Sequence, residues 1–256
     1  MSLAYNNTSS NNGIIQEIEK ECGFEYGAIS GNTALLQEIT SQVNLALDDY
    51  LSIGLTASGT WQLDDSNHTK YPIIKTNLVS GQRDYSFTTD GDSNLILDIY
   101  QVAILPSATS SVYIPLEPFD EFENPESNAI ITEATSTGTP YTYGKLANGI
   151  FLEPKPNYNA TSGLKVFINR EGSYFTTSDT TKKPGVPGIH HRYFVVKPAM
   201  VYARRNNLSV YGKLADEVLA YEGDKDRGIQ GKITRYFAHR EKDKRNIMTG
   251  KKILYK

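Results

Sequence analysis

Four histidines, one cysteine and several carboxylate pairs are the residues of this 256-residue chain that could do chemistry. A hydrolytic centre built on His68, His190, His191 or His239 needs a nucleophile within hydrogen-bond reach of that base, and no recognisable frame surrounds any of them. His190 and His191 are adjacent, so on a helix their side chains point about 100° apart. With no carboxylate or cysteine at ligand spacing, they read as polar residues at a helix start rather than as a metal site. Asp48-Asp49, Asp64-Asp65 and Asp120-Glu121 with Glu123 are neighbours in sequence, whereas glycosidase carboxylates are brought together by the fold, so these pairs read as solvated surface. The glycine-rich segments lack the Lys-Ser/Thr or the strand-to-helix setting of a phosphate loop. Cys22 stands alone, which excludes an internal disulfide and a thiolate metal cluster and fits assembly in a reducing cytoplasm. The expectation is a protein that is not an enzyme, with no catalytic residue, no metal ligand and no cofactor.

The basic end of the chain carries more information. Residues 225–256 hold eleven Lys and Arg against three Asp and Glu, a net of +8; the whole chain has 26 against 29, which leaves residues 1–224 at −11. An acidic body with a basic tail seeks an acidic partner, either a protein surface or nucleic acid. Ile229, Ile233, Tyr236 and Phe237 recur at helical spacing while Lys232, Arg235, Arg240, Lys242, Lys244 and Arg245 cover the other faces, so a basic amphipathic helix is expected over about 226–244. Ile253, Leu254 and Tyr255 then form an apolar end that water does not favour. The candidate contact set is therefore Lys232, Arg235, Tyr236, Phe237, Arg240, Lys242, Lys244, Arg245, Ile253, Leu254 and Tyr255. A solvated helix with a frayed tail is the plainer reading of the same residues.

These residues need elements to position them. Residues 1–12, with four asparagines and three serines, cannot order themselves by apolar burial and read as a flexible arm. Ile14, Ile15 and Ile18 suggest a short helix. A longer one, capped by Asn32 or Thr33, presents Leu36, Ile39, Val43, Leu47, Tyr50 and Leu51 on one face before Gly54 and Gly59 end it. From Trp61 to Phe175 the period becomes that of strands, at 71–78, 85–88, 95–105, 112–115, 141–146, 149–153 and 164–169, separated by turn residues as in a sandwich or small barrel. The runs at 149–153 and 164–169 are expected to pair, and residues 78–82 read as a tight hairpin turn. Pro118 to Glu123 reads as one helical turn. Helices return at 188–206, where Pro198 interrupts an apolar face, and at 210–222. The fold class expected is α+β: a helical bundle with an inserted antiparallel β-sandwich or barrel-like module and an extended C-terminal segment. Its parts are an arm (1–12), the first part of the bundle (13–58), the β module (59–180), the second part of the bundle (181–224) and the basic helix and tail (225–256), the last separable from a folded body. No leader peptide, lipidation motif or apolar span is evident, so no membrane is expected.

Three stretches carry a resemblance: GIFLEPKP from Gly149, GLKVFINREGSYFTTSDTTKKPGVP from Gly163, and HHRYFVVKPAMVYA from His190, with NTALLQEITSQVNLALDDYL supporting them. In segment order and phrasing the chain is similar, over roughly residues 13–239, to head-to-tail adaptor (connector) proteins of tailed bacteriophages. That resemblance implies a structural virion protein at the head-to-tail junction, made in the host cytoplasm and assembled as a homo-oligomeric ring, a dodecamer in the family. It implies docking to the portal protein through the C-terminal segment, contact with tail or further connector proteins, and a conduit through which double-stranded DNA passes without sequence-specific binding. The acidic body suits a channel wall that repels phosphate. Two other classes remain open on the residues alone. A tyrosine- and asparagine-rich β module can bind glycans, with Trp61 the only tryptophan, and the basic C-terminal helix can bind DNA with steep salt dependence.

Overall fold

The computed structural model describes residues 2–58, 73–89, 95–119, 136–146, 149–224 and 226–240. The fold is mixed α+β. The chain divides into two compact units, one made of Met1–Asn67 with Gly172–Lys256 and the other of His68–Glu171. The bundle is thus interrupted in sequence by the β unit, whose boundary falls at 171 rather than at 180. No helix among the described residues is long and apolar enough to cross a membrane.

The helical unit comprises α1 (Ile14–Glu21), α2 (Thr33–Ser58), α3 (Tyr193–Arg205), α4 (Tyr211–Glu222) and α5 (Lys232–Arg240). A short 3-10 turn, Gly188–His190, precedes α3, so the helix expected from 188 begins five residues later. α3 is central and packs against α1, α2 and α4, while α5 packs against α2 and α4. Asn32 caps α2, its Oδ1 accepting the Leu35 N–H at 3.2 Å. All six apolar positions read on α2 are buried. That helix does not stop at Gly54; it runs four residues further, because Gly54 is a contact and not a terminator. A Cβ there would lie 2.7 Å from Phe237 Cζ, so the glycine lets the α5 ring approach the α2 backbone.

Two ion-pair clamps tie the helices. The Arg192 guanidinium, just before α3, meets Glu21 at 2.8 Å and Glu217 at 3.0 Å. Its hydrogen bond to Glu217, opposed by burial and aided by Glu21, leaves its pKa raised, and the same bond holds the Glu217 carboxyl below the usual range. Lys197 on α3 meets Glu222 at 2.6 Å and Asp49 at 3.3 Å, and Glu222 also accepts the Tyr193 hydroxyl at 2.7 Å.

Residues 2–12 are not an arm. Tyr5 is fully buried, stacks on Phe175 at 4.5 Å and shares a 2.5 Å hydrogen bond with Thr40. The Ile14 and Ile15 N–H groups donate to the Ala4 and Tyr5 carbonyls, and the Leu3 N–H donates to His191 Nδ1 at 2.8 Å. Average polarity misled here, since one aromatic side chain with satisfied backbone bonds anchors a segment that composition assigns to solvent.

The loop between α1 and α2 is built on a buried carboxylate. Glu19 is fully buried, and its oxygens accept the N–H groups of Gly27 at 3.0 Å, Ile29 at 2.8 Å and Ser30 at 3.1 Å. Glu19→Ala strands three donors, and the expected loss of stability is about 3 kcal/mol. Chemical denaturation measures it; a loss below about 0.5 kcal/mol, the range of ordinary surface changes, would contradict this role.

The β unit holds two open four-stranded sheets. One has the order β1 (Ile73–Leu78), β10 (Ala160–Arg170), β3 (Ile96–Ile104), β4 (Ile114–Pro115), antiparallel throughout. The other has the order β2 (Asp84–Ser86), β8 (Gly149–Glu153), β7 (Thr142–Leu146), β5 (Glu117–Pro118), with β5 parallel to β7. A small parallel pair joins β6 (Thr137–Gly138) to β9 (Lys155–Pro156). Neither larger sheet closes into a barrel. Register places Leu164 opposite Ile104 and Val166 opposite Val102, and in the other sheet Tyr85 opposite Ile150 and Tyr143 opposite Leu152; all eight belong to one apolar cluster. Phe167, the residue that breaks the alternation of its strand, faces away and meets Tyr100 at 6.0 Å.

Three expectations fail in this unit. The runs at 149–153 and 164–169 do not pair, because β8 and β10 lie in different sheets. Residues 78–82 do turn, with the Gln82 N–H on the Val79 carbonyl and Gly81 at φ 78, yet the turn carries the chain from one sheet to the other and is no hairpin. Glu117–Pro118 is a strand rather than the start of a helical turn; residues 120–123 lie outside the described residues, as does Trp61.

Candidate functional site

The C-terminal basic segment folds differently from one long helix. After α4 the chain reverses through a two-residue ladder, β11 (Gly223–Asp224) with β12 (Ile229–Gln230). The reversal depends on Gly223 at φ +87, and on Gly231, where a Cβ would lie 2.1 Å from the Tyr221 carbonyl oxygen. Only then does α5 start, so Ile229 belongs to a strand and is 53% exposed rather than part of an apolar helix face. Ile233 and Phe237, four residues apart, are both fully buried in the helical core. Burying that face turns Lys232, Arg235 and His239 outward and leaves Tyr236 half-buried at the edge.

Those outward residues frame a cavity of about 510 Å³. Its floor is aromatic: His190, Tyr221 and Tyr236, with His190 edge-on to Tyr236 at 4.9 Å and to Tyr221 at 6.4 Å. Lys232, Arg235 and His239 stand around it, and Lys232 Nζ lies 4.6 Å over the Tyr221 ring. Ile189, 67% exposed, forms an apolar lip. Such a cavity accepts a planar or apolar group with a negative charge beside it.

His190 forms part of the protein interior as well as the floor. Its Nδ1 shares a 2.6 Å hydrogen bond with the Tyr50 hydroxyl, and Tyr50 in turn touches Tyr193, Phe194 and Phe237. Burial, with help from His191 and Lys232, pushes the His190 pKa down to about 4, so the imidazole is neutral at pH 7. The unfolded chain therefore takes up a proton below about pH 6.5 that the fold refuses until about pH 4, and this part of the stability is present above that window and lost on descending through it. A His190→Gln variant should show a shallower fall in melting temperature than the parent between those pH values, and parallel curves would count against the assignment. His191 is equally structural: its Nδ1 accepts from Leu3, so Nε2 carries the proton and donates to the Val186 carbonyl at 3.0 Å. Both histidines are satisfied core residues ahead of α3.

The contact set read from sequence is divided by this geometry. Lys232, Arg235 and Tyr236 come together at the cavity. Phe237 does not join them; its ring is spent on Tyr50 and Gly54, so it is a core residue unavailable to a partner. Arg240 ends α5. Lys242, Lys244, Arg245, Ile253, Leu254 and Tyr255 lie outside the described residues. Ile189, His190, Tyr221 and His239 line the cavity and are absent from the set. The only hint of Tyr221 in sequence is its place on the apolar row with Leu214 and Val218.

The carboxylates of a second cavity are engaged, and the single thiol is weakly reactive. A second cavity of about 420 Å³, between α2 and the β11–β12 ladder, is lined by Glu222 and Asp224. Glu222 already serves Tyr193 and Lys197, and Asp224 Oδ1 accepts the N–H groups of Asp226 and Arg227. Burial, and then Glu21, push the Cys22 thiol up to about 11, which keeps it protonated and weakly nucleophilic at neutral pH. Among the described residues no group of three His, Cys, Asp or Glu side chains could hold a metal ion. No protein-family model matches the chain, and no curated protein matches it.

Proposed function

We propose that the protein is a structural head-to-tail adaptor of a tailed bacteriophage, a non-catalytic subunit of a ring beneath the portal. One observation carries the reading: a helical unit assembled from Met1–Asn67 and Gly172–Lys256, interrupted by a β unit of two open sheets with a common apolar cluster. That is the order of parts, bundle, inserted sandwich-like module, bundle, which the resemblance in GIFLEPKP and HHRYFVVKPAMVYA implies. The charge division supports it, since an acidic body repels DNA phosphate while a basic end attracts an acidic portal surface. Docking falls to the segment that follows α5, because α5 itself is half committed to the core. Such a subunit works by contact area and by lengthening a channel, not by binding a transition state.

The test is made in the virion. Particles grown without the protein should be tailless heads that fail to retain DNA, and negative-stain images of the purified protein mixed with portal rings should show added axial density. Infectious tailed particles lacking the protein would eliminate the adaptor reading.

A further inference from the structure

Two features of the helical unit complement each other. The first is the cavity before and along α5, with its aromatic floor and with Lys232 and Arg235 at its rim. Among the described residues neither cation meets a carboxylate within ion-pair distance, whereas Arg192, Lys197 and Arg205 of the same unit all do. The second is the loop between α1 and α2. The buried Glu19 carboxylate clamps its backbone at Gly27, Ile29 and Ser30, and at its tip stand Glu25, exposed, and Tyr26, 54% exposed. Tyr26 is the most exposed aromatic of the described residues of this unit: Tyr211 is 39% exposed, and Tyr174, at 37%, is already bonded to Asp48 at 2.6 Å. An exposed tyrosine on a loop held rigid by three hydrogen bonds loses little entropy on docking, which is the property of an interface anchor.

We infer that the Glu25-Tyr26 loop of one copy of this chain inserts into the α5 cavity of a second copy, Tyr26 against the His190, Tyr221 and Tyr236 rings and Glu25 against Arg235 and Lys232. The loop does not line the cavity of its own subunit. Loop and cavity are different patches, so the contact is heterologous, the kind that propagates head to tail and closes into a ring when the rotation between subunits allows it. A second copy suits the cavity better than DNA does: the body of this chain carries the excess negative charge that the rim attracts, and a phosphate backbone has no aromatic side chain for the floor. The inference rests on the ring-forming part of the proposed function and names the surfaces that would form it.

Sedimentation velocity of the full chain, alone and with portal rings, tests it. Glu25→Lys and Arg235→Glu should each weaken self-association about tenfold, equivalent to about 1.4 kcal/mol. Tyr26→Ala should weaken it about thirtyfold, as loss of an aromatic anchor does. The double variant Glu25→Lys with Arg235→Glu should recover to within about threefold of the parent, since the ion pair is restored in reverse. In a Cys22→Ser background, Tyr26→Cys with Ile189→Cys should give a ladder of bismaleimide-linked species. Near-ultraviolet circular dichroism confirms that these surface variants stay folded. Rings that survive every one of these changes overturn the contact and leave the adaptor reading standing. A chain that never assembles with itself, free or on the portal, overturns both.

Discussion

Removal of residues 241–256 should leave a protein that melts with the parent but, on the proposed adaptor function, no longer co-sediments with portal rings, whereas removal of 225–256 should abolish folding. On charge alone the basic end looks separable from residue 225. Within the fold it is not. The longer deletion takes away Ile233 and Phe237, both fully buried, and empties the space that Gly54 leaves beside α2. Truncating one buried phenylalanine costs about 3–5 kcal/mol, and a domain of this kind holds only about 5–15 kcal/mol in total. The β11–β12 ladder goes with it, as do Tyr236, edge-on to His190 at 4.9 Å, and Lys232, whose Nζ lies 4.6 Å over the Tyr221 ring. The shorter deletion removes Lys242, Lys244, Arg245 and the Ile253-Leu254-Tyr255 end, and none of the described core residues is deleted with them. Circular dichroism and co-sedimentation separate the two effects. Full portal attachment by the 241–256 deletion would remove the docking role from that segment, and a folded 225–256 deletion would show that α5 is not part of the core.

Val196→Asp should prevent folding outright. Val196 lies on α3, the helix that α1, α2 and α4 all pack against, and it is fully buried among apolar residues. A carboxylate there must either shed its hydration or take up a proton, and without a compensating partner the cost is several kcal/mol on top of the lost packing. Asp216→Ala, at an exposed position of α4, is the matched control and should move the melting temperature by no more than surface changes usually do. Expression in inclusion bodies, or loss of the cooperative transition in the first variant only, is the expected result. If both variants melt with the parent, the core has been assigned to the wrong helix face.

The helices were legible because their signal is local. Leu36, Ile39, Val43, Leu47, Tyr50 and Leu51 recur with the period of the α-helix, and a side chain three or four residues away shares a face whatever the rest of the chain does. The strands were legible one at a time for the same reason, since a period of two marks β10 before any partner is known. The absence of any disulfide within the chain, the acidic body and the basic end also follow from residue identity alone. What touches what across the chain did not. β8 and β10 lie close in sequence, with only the two-residue β9 between them, yet they belong to different sheets, because alternation states which face is apolar and says nothing of the strand that will lie beside it. Gly54 looks like a stop until Phe237, from the far end of the chain, fills the space above it. Tyr5 looks solvated until Phe175 and Thr40 enclose it. The cavity assembles residues 189–190, 221 and 232–239, which share no motif. Residue order alone determines local conformation and total charge, because both act over a few bonds or sum over the chain; strand partners, buried anchors and the cavity are decided by packing, because they depend on which distant surfaces exclude water together.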